Sequence, residues 1–121
     1  MAQGGGEIPE KRVLIVDDSK FVRTTFNRIL SASFAVKECA DGQSGWEQIE
    51  GDPHIVMVVS DIDMPKLDGY GLLERVRSSA DPRIKALPVI ISSGNQNEAA
   101  KKRARDMGAN DFVAKEADAP E

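Results

Sequence analysis

Residues 55–61 read Ile-Val-Met-Val-Val-Ser-Asp, an apolar, mostly β-branched run that ends in a serine and an acid. A second apolar run, Val13-Leu14-Ile15-Val16, is followed by the acids Asp17 and Asp18. Apolar runs without polar alternation are typical of central parallel strands, which are buried on both faces of a sheet. We therefore expect these two segments to form the centre of a parallel sheet.

Three further segments complete the expected sheet. Pro88-Val89-Ile90-Ile91 is another apolar run, whereas residues 35–39 and 111–114 are shorter and more mixed, as expected of edge strands. Amphipathic stretches separate the strands, and this alternation predicts an α/β fold. The expected architecture is a flavodoxin-like, doubly wound, five-stranded parallel sheet in the order 2-1-3-4-5.

Four helices are expected between these strands. Ser19 is placed to cap the first helix, and Gly108 to close the fourth as a left-handed cap. Each helix is marked by apolar residues at helical spacing, namely Val22, Phe26, Ile29 and Leu30 in the first, Trp46 and Ile49 in the second, Leu72, Leu73 and Val76 in the third, and Ala100, Ala104 and Met107 in the fourth.

Length and composition narrow the class of protein. The 121 residues suit one domain, with residues 1–11 as a flexible, glycine-rich leader and residues 12–121 as the folded unit. The net charge of −4 argues against direct contact with nucleic acid. Cys39 is the only cysteine and no run approaches the length of a membrane span, so we expect a cytoplasmic protein.

Acidic residues follow the two central strands. Ligands of open parallel sheets bind beyond the carboxyl ends of the strands, where strand order reverses, so Asp17, Asp18 and Asp61 should converge there. Three crowded carboxylates repel one another unless a proton or a cation neutralises them. Oxygen ligands without clustered histidine or cysteine favour Mg2+ over zinc.

Two more strand ends carry complementary groups. Ser93 follows the fourth strand and Lys115 follows the fifth. A hydroxyl can hydrogen-bond a phosphoryl oxygen, and an ammonium can neutralise its charge. Because aspartate can be a covalent phosphoryl acceptor, this set of side chains points to phosphoryl transfer.

From residue 12 to residue 115 the sequence closely resembles the receiver domains of bacterial response regulators, of the chemotaxis-regulator type. The resemblance is carried by Val16-Asp17-Asp18, residues 61–65 with Asp68-Gly69, Ser93-Gly94, and residues 108–115.

The resemblance implies a role for each matching position. Asp61 would be the phosphoacceptor, Ser93 and Lys115 would contact the phosphoryl group, and Phe112 would be the switch aromatic. The resemblance also implies that Asp18, Asp61 and the Asp63 backbone carbonyl bind Mg2+, and that Asp17 holds a metal-bound water. Asp63 and Asn95 would tune the rate of hydrolysis of the aspartyl phosphate.

The resemblance also implies partners. A sensor histidine kinase or a phosphotransfer protein would donate the phosphoryl group, and the new charge would bias a face made by the fourth helix and fifth strand. A downstream output domain or target protein would read that face. The chain would not be an enzyme, beyond catalysing its own phosphorylation and dephosphorylation.

Two departures from the family pattern stand near the end of the chain. Glu116 replaces the proline that usually follows the lysine through a cis bond, which leaves the isomer of the bond before Glu116 open. The six residues after Lys115 are too few for the family's fifth helix, so we expect that helix to be absent or truncated. An apolar patch left on the sheet would favour a dimer.

Three alternative functions fit the sequence less well. The Asp61-Ile62-Asp63 spacing also resembles haloacid dehalogenase-type phosphatases, but in those enzymes the motif follows the first strand. A pseudo-receiver that binds partners without phosphorylation is a further alternative. A nucleotide-binding flavodoxin-like role is weaker, because no glycine-rich loop follows the first strand.

Overall fold

The computed structural model describes residues 10–94 and 97–115. The described strands are Arg12–Val16 (β1), Ala35–Cys39 (β2), Ile55–Asp61 (β3), Val89–Ser93 (β4) and Asp111–Ala114 (β5). The described helices are Lys20–Leu30 (α1), Gly42–Gly51 (α2), Gly69–Arg77 (α3), Pro82–Lys85 (α4) and Glu98–Asp106 (α5).

All described strand pairs are parallel, and the sheet order is β2-β1-β3-β4-β5. The predicted fold class and strand order are confirmed. Val16 pairs with Ser60, and Asp61 pairs with Ser92. The carboxyl ends of the two central strands therefore lie side by side, level with the end of β4.

The core lies on both faces of β1. Its residues Val13 to Val16 are fully buried, as the continuous apolar run predicts. Leu14 and Val16 belong to the cluster that includes Leu72, Leu73 and other residues of α2, α3 and α5. The opposite face of β1 is covered by α1, which packs on β1 and β2. Burying each such side chain stabilises the fold by about 1.5–3 kcal/mol.

Helix α1 matches its predicted start but not all of its predicted stripe. Ser19 caps the helix, since its hydroxyl accepts a hydrogen bond from the Val22 backbone N–H at 3.2 Å. The prediction that Ile29 faces the core is wrong, because 59% of this residue is exposed. Ile29 lies two turns along from the exposed Phe21, on a flank of α1 that its packing on β1 and β2 leaves uncovered.

Helix α4 was not predicted, although its start carries a recognisable signal. Asp81 caps the helix by accepting from the Arg83 N–H at 2.9 Å, and Pro82 occupies the first turn, where its missing N–H costs nothing. The predicted cap at the end of α5 is confirmed, because Gly108 has a φ of 102°. An L residue there would be strained.

Three predictions fall outside the described residues. They concern residues 1–9 of the leader predicted over residues 1–11, the role of Asn95, and the chain after Lys115. That last part includes the bond before Glu116 and the fifth helix, which was expected to be absent or truncated. Within residues 10–94 and 97–115, no helix is long and apolar enough to cross a membrane.

Candidate functional site

Lys115 lies between two buried carboxylates at the carboxyl edge of the sheet. Its Nζ is 2.9 Å from Oδ1 of Asp61 and 3.2 Å from Oδ2 of Asp17. Asp61 is 5% exposed and Asp17 is 1% exposed. Lys115 follows β5 while the two acids end β3 and follow β1, so side chains far apart in the sequence meet because the sheet brings their strand ends together.

Backbone hydrogen bonds hold each of these residues in place. Oδ1 of Asp17 accepts from the Ser19 N–H at 2.9 Å, and Oδ1 of Asp61 accepts from the Ile62 N–H at 2.8 Å. The Lys115 N–H donates to the Ser93 carbonyl at 3.1 Å, which keeps Lys115 beside the end of β4. Both carboxylates are therefore oriented by the turns that follow their own strands.

The turn from β3 to α3 passes very close to Asp61. The Gly69 N–H donates to the Ile62 carbonyl at 2.8 Å, and a Cβ on Gly69 would lie 2.1 Å from the Asp61 carbonyl oxygen. Only glycine allows this approach. Lys66 in the same turn has a φ of 71°, a left-handed conformation that costs a non-glycine residue free energy.

Burial and mutual attraction set the pKa values of Asp61 and Lys115. Burial raises the pKa of Asp61 and the charge of Asp17 raises it further, while Lys115 opposes both effects. Burial alone would lower the pKa of Lys115, but the hydrogen bond and charge of Asp61, together with the charge of Asp17, raise it. The ammonium is therefore charged at neutral pH and compensates one of the buried carboxylates.

Three carboxylates gather here as predicted. Oxygens of Asp17, Asp18 and Asp61 all lie within 4.8 Å of one another, close enough to hold a metal ion together. Oδ2 of Asp17 is buried and makes no hydrogen bond with good geometry, although Lys115 Nζ is near it. Three carboxylates and one ammonium leave two uncompensated negative charges, so the donor set fits a divalent cation.

The other predicted site residues are distributed around this cluster. Ser93 is buried at the end of β4, and its pairing with Ala114 puts it beside the residue before Lys115. Phe112 is half-buried and packs against the core. The side chain of Asp63 is exposed. The pattern of the sequence did not point to the Ile62 N–H, because any residue after Asp61 would supply that donor.

The fold is that of a CheY-like receiver domain, and comparisons with known proteins agree. The family model described as "Response regulator receiver domain" matches residues 13–121. The chemotaxis protein CheV3 of Helicobacter pylori is 35% identical over 116 residues, covering 88% of this chain and 37% of CheV3. The two-component response regulator ORR3 of Oryza sativa is 35% identical over 108 residues, covering 88% of this chain and 81% of ORR3.

Solved structures show the same likeness. The CheX-CheY-BeF3-Mg2+ complex of Borrelia burgdorferi contains a chain with a TM-score of 0.78 and 31% identity, covering 87% of this chain and 78% of that one. The N-terminal domain of a response regulator receiver protein from Methanoculleus marisnigri gives 0.73 and 25%, with coverages of 86% and 83%. The chain belongs to the response regulator receiver domain family.

Proposed function

We propose that Asp61 accepts a phosphoryl group from the phosphohistidine of a sensor kinase or a phosphotransfer protein. The proposal rests on the difference between the two carboxylate oxygens of Asp61 in the hydrogen bonds they accept. Oδ1 of Asp61 is held by Lys115 Nζ and the Ile62 N–H, whereas no described residue donates a hydrogen bond to Oδ2. An oxygen without donors keeps its lone pairs available for attack.

In the proposed step, Oδ2 of Asp61 forms a bond to phosphorus while the bond between phosphorus and the donor histidine breaks. The electron pair of that bond returns to the imidazole, which takes up a proton as it leaves. Lys115 neutralises part of the charge on the transferring group, and the close packing of Gly69 against the Asp61 backbone keeps the nucleophile in line. Positioning and charge compensation are most of what phosphoryl transfer requires.

A divalent cation, which we propose to be Mg2+, completes the charge balance. Asp17, Asp18 and Asp61 would hold it, and the family resemblance adds the Asp63 backbone carbonyl. When bound, it neutralises charge on the carboxylates and the phosphoryl oxygens. The similar chain from Borrelia burgdorferi was solved in a complex that contains CheX, BeF3 and Mg2+, which supports the proposal that this fold works with a divalent cation.

The proposed signal starts at Ser93 and Lys115. A phosphoryl group on Asp61 would draw both side chains towards it, and Phe112, which is half-buried on β5, would change its packing in response. Helix α5 and β5 would then present a changed face to an output domain or target protein.

The signal would end by hydrolysis of the aspartyl phosphate. The family resemblance assigns Asp63 and Asn95 to tuning the attack of water. The exposed side chain of Asp63 is open to the solvent from which that water would come. We expect Asp63→Ala to change the dephosphorylation rate by more than about twofold, the size of a modest hydrogen-bond contribution.

The proposal is tested by incubating the protein with acetyl phosphate and Mg2+ and measuring its mass. We expect a gain of one phosphoryl group, about 80 Da. The gain should disappear in Asp61→Asn and on chelation of the metal, and should persist in Asp106→Asn, which alters an exposed acid on α5.

Two outcomes would contradict the proposal. A gain that survives in Asp61→Asn would assign the phosphoryl group to another residue. No gain in a folded wild-type protein would favour the pseudo-receiver alternative. The phosphatase alternative has less support, because its aspartate belongs after the first strand and Asp61 ends the third.

A further inference from the structure

Two buried side-chain atoms in the described part of the chain lack a hydrogen-bond partner, Oδ2 of Asp17 and Oγ of Ser92. They lie on opposite sides of Asp61, because Asp17 follows β1 and Ser92 is on β4, the two neighbours of β3 in the sheet. Ser92 is 1% exposed. Burying a hydroxyl without a hydrogen-bond partner costs free energy, so the presence of a serine at position 92 requires an explanation.

The register of the sheet puts Ser92 within reach of Asp61. The two residues are paired across β3 and β4, so their side chains leave the same face of the sheet. Neighbouring strands are about 4.8 Å apart, and rotation of the serine about χ1 swings its oxygen through three positions. At this strand spacing, the Ser92 hydroxyl can come within hydrogen-bond distance of the Asp61 carboxyl group.

Ser60 shows that the hydroxyl of a buried serine in this sheet can find a hydrogen-bond partner. Its residue is also 1% exposed, yet its hydroxyl donates to the Asp61 carbonyl at 2.9 Å. Ser92, by contrast, ends the apolar stretch Val89 to Ile91, where another apolar side chain would remove the cost. Ser60 and Ser92 lie on opposite faces of the sheet, and in the described structure only the Ser92 hydroxyl is unpartnered.

We propose that Ser92 is a further residue of the phosphoryl site, whose hydroxyl donates to the Asp61 carboxyl group in the phosphorylated state. This inference rests on the proposed function. Oδ1 of Asp61 now has two donors, Lys115 Nζ and the Ile62 N–H. When Lys115 turns to the phosphoryl oxygens, Oδ1 loses one of them, and the Ser92 hydroxyl takes its place.

The added hydrogen bond favours loss of the phosphoryl group. In hydrolysis, a water oxygen bonds to phosphorus, the bond from phosphorus to Asp61 breaks, and its electron pair returns to the carboxylate. The water gives up its proton to the released phosphate or to solvent. A donor to the carboxyl group stabilises the charge that develops there, so Ser92 shortens the lifetime of the aspartyl phosphate.

The test compares Ser92→Val with Ser92→Thr, which have nearly the same shape and differ in the hydroxyl. Each protein is phosphorylated with acetyl phosphate in the presence of Mg2+, and the acetyl phosphate is then removed. Mass spectrometry follows the loss of the phosphoryl group over time. We expect the phosphorylated state of Ser92→Val to last about three- to tenfold longer than that of the wild type, the effect of one hydrogen bond. Ser92→Thr should stay within about twofold of the wild type.

Ser92→Ala, which adds no volume, serves as the second variant without a hydroxyl and should behave as Ser92→Val does. Equal lifetimes for the wild type and the Thr, Val and Ala variants would overturn this inference and leave the proposed function standing. A wild-type protein that gains no phosphoryl group would overturn both.

Thermal unfolding provides a readout that does not depend on phosphorylation. Because the hydroxyl has no described partner before phosphorylation, we expect Ser92→Ala to have an equal or higher Tm than the wild type. A clear fall in Tm would mean that the hydroxyl has a structural partner in the resting protein, and would also overturn the inference.

Discussion

The guanidinium carbon of Arg103 lies 3.9 Å from the centroid of the Tyr70 ring. This contact joins α5 to the start of α3, next to the glycine that packs on Asp61. Helix α5 has only one fully buried residue among its nine, Ala104. The stacked arginine therefore adds to the packing of Ala104, and it links the helix to the residue after Gly69.

Arg103→Ala should loosen α5. A cation–π contact at a partly exposed site contributes about 0.5–1 kcal/mol, which corresponds to about two- to fivefold faster amide exchange in the helix. Hydrogen exchange followed by mass spectrometry would measure it. Arg105→Ala, which alters an exposed arginine of the same helix, is the matched control and should leave the exchange of α5 unchanged.

Gly69→Ala should damage both stability and phosphoryl uptake. Its Cβ would meet backbone atoms of Asp61 and Ile62, which cannot move without displacing the Asp61 carboxylate. We expect a loss of about 2–3 kcal/mol in the free energy of unfolding, measured by urea denaturation. Gly51→Ala is the control, because its added methyl group would meet no atom within 4 Å apart from its own helix backbone and chain neighbours, and it should be neutral or slightly stabilising.

Asp52 should make the fold sensitive to acid. Its carboxylate lies 2.8 Å from both Arg12 Nη1 and Lys37 Nζ and accepts from the His54 N–H. Burial alone would raise its pKa, but Lys37, the His54 N–H and Arg12 hold the pKa well below its usual range. The resulting stability is present above the unfolded pKa, about 4, and is lost as pH falls towards the lower folded pKa.

Asp52→Asn should therefore lower the free energy of unfolding at pH 7 by about 1–3 kcal/mol. The gap between variant and wild type should narrow as pH falls below about 4, where the unfolded carboxyl takes up a proton. Urea denaturation from pH 7 to pH 3 would measure both effects. A constant gap over this range would show that the carboxylate charge is not the cause.

The Arg77 guanidinium group, at the end of α3, donates hydrogen bonds to two other segments of the chain, residues 85–87 and 108–110. It donates to the carbonyls of Gly108, Lys85 and Leu87 at 2.9, 2.9 and 2.6 Å, and to the Asn110 side chain at 2.8 Å. Burial lowers its pKa, as expected for a cation held by neutral acceptors. These bonds hold the ends of α3, α4 and α5 against the start of β4 and β5.

Arg77→Met keeps much of the side-chain stem but removes all of these donors. We expect it to lower the free energy of unfolding by about 2–4 kcal/mol, because several carbonyls lose their partners. Arg77→Lys should recover only part of the loss, since one ammonium cannot span the acceptors. Arg75→Met, which removes one exposed hydrogen bond at 3.2 Å to Gln43, should cost less than about 1 kcal/mol.

Lys115→Met should slow phosphoryl uptake by at least about tenfold, since it removes preorganised positive charge from the site. Loss of the ammonium also removes the contact that opposes the raised pKa of Asp61, so more of the nucleophile is protonated as pH falls. The rate of mass gain with acetyl phosphate would measure the effect. Lys102→Met, an exposed lysine paired with Asp106, should react at the wild-type rate.

The pattern of apolar residues predicted the sheet and its order because central parallel strands, such as Val13 to Val16, must be apolar on both faces. Strand ends then located Asp17, Asp61 and Lys115 near one another. The pattern did not predict that Ile29 is exposed, since helical spacing does not reveal how far the sheet extends beneath a helix.

The partners of Asp52 and Arg77 were also not predicted. The cations that contact Asp52 are 15 and 40 residues away, and the acceptors of Arg77 include Gly108 and Asn110. Charged residues are usually solvated, so nothing in the local sequence distinguishes these two from exposed neighbours. Such pairs become visible only when the fold brings distant segments together.

The site draws its side chains from strands that span most of the chain, with Asp17 after the first and Lys115 after the last. During synthesis on the ribosome, Asp61 emerges well before the lysine that will compensate its charge. A nascent or partly folded chain therefore has the Asp61 carboxylate without the ammonium of Lys115 beside it. Under the proposed function, a chain would accept a phosphoryl group at its full rate only after all five described strands are in place.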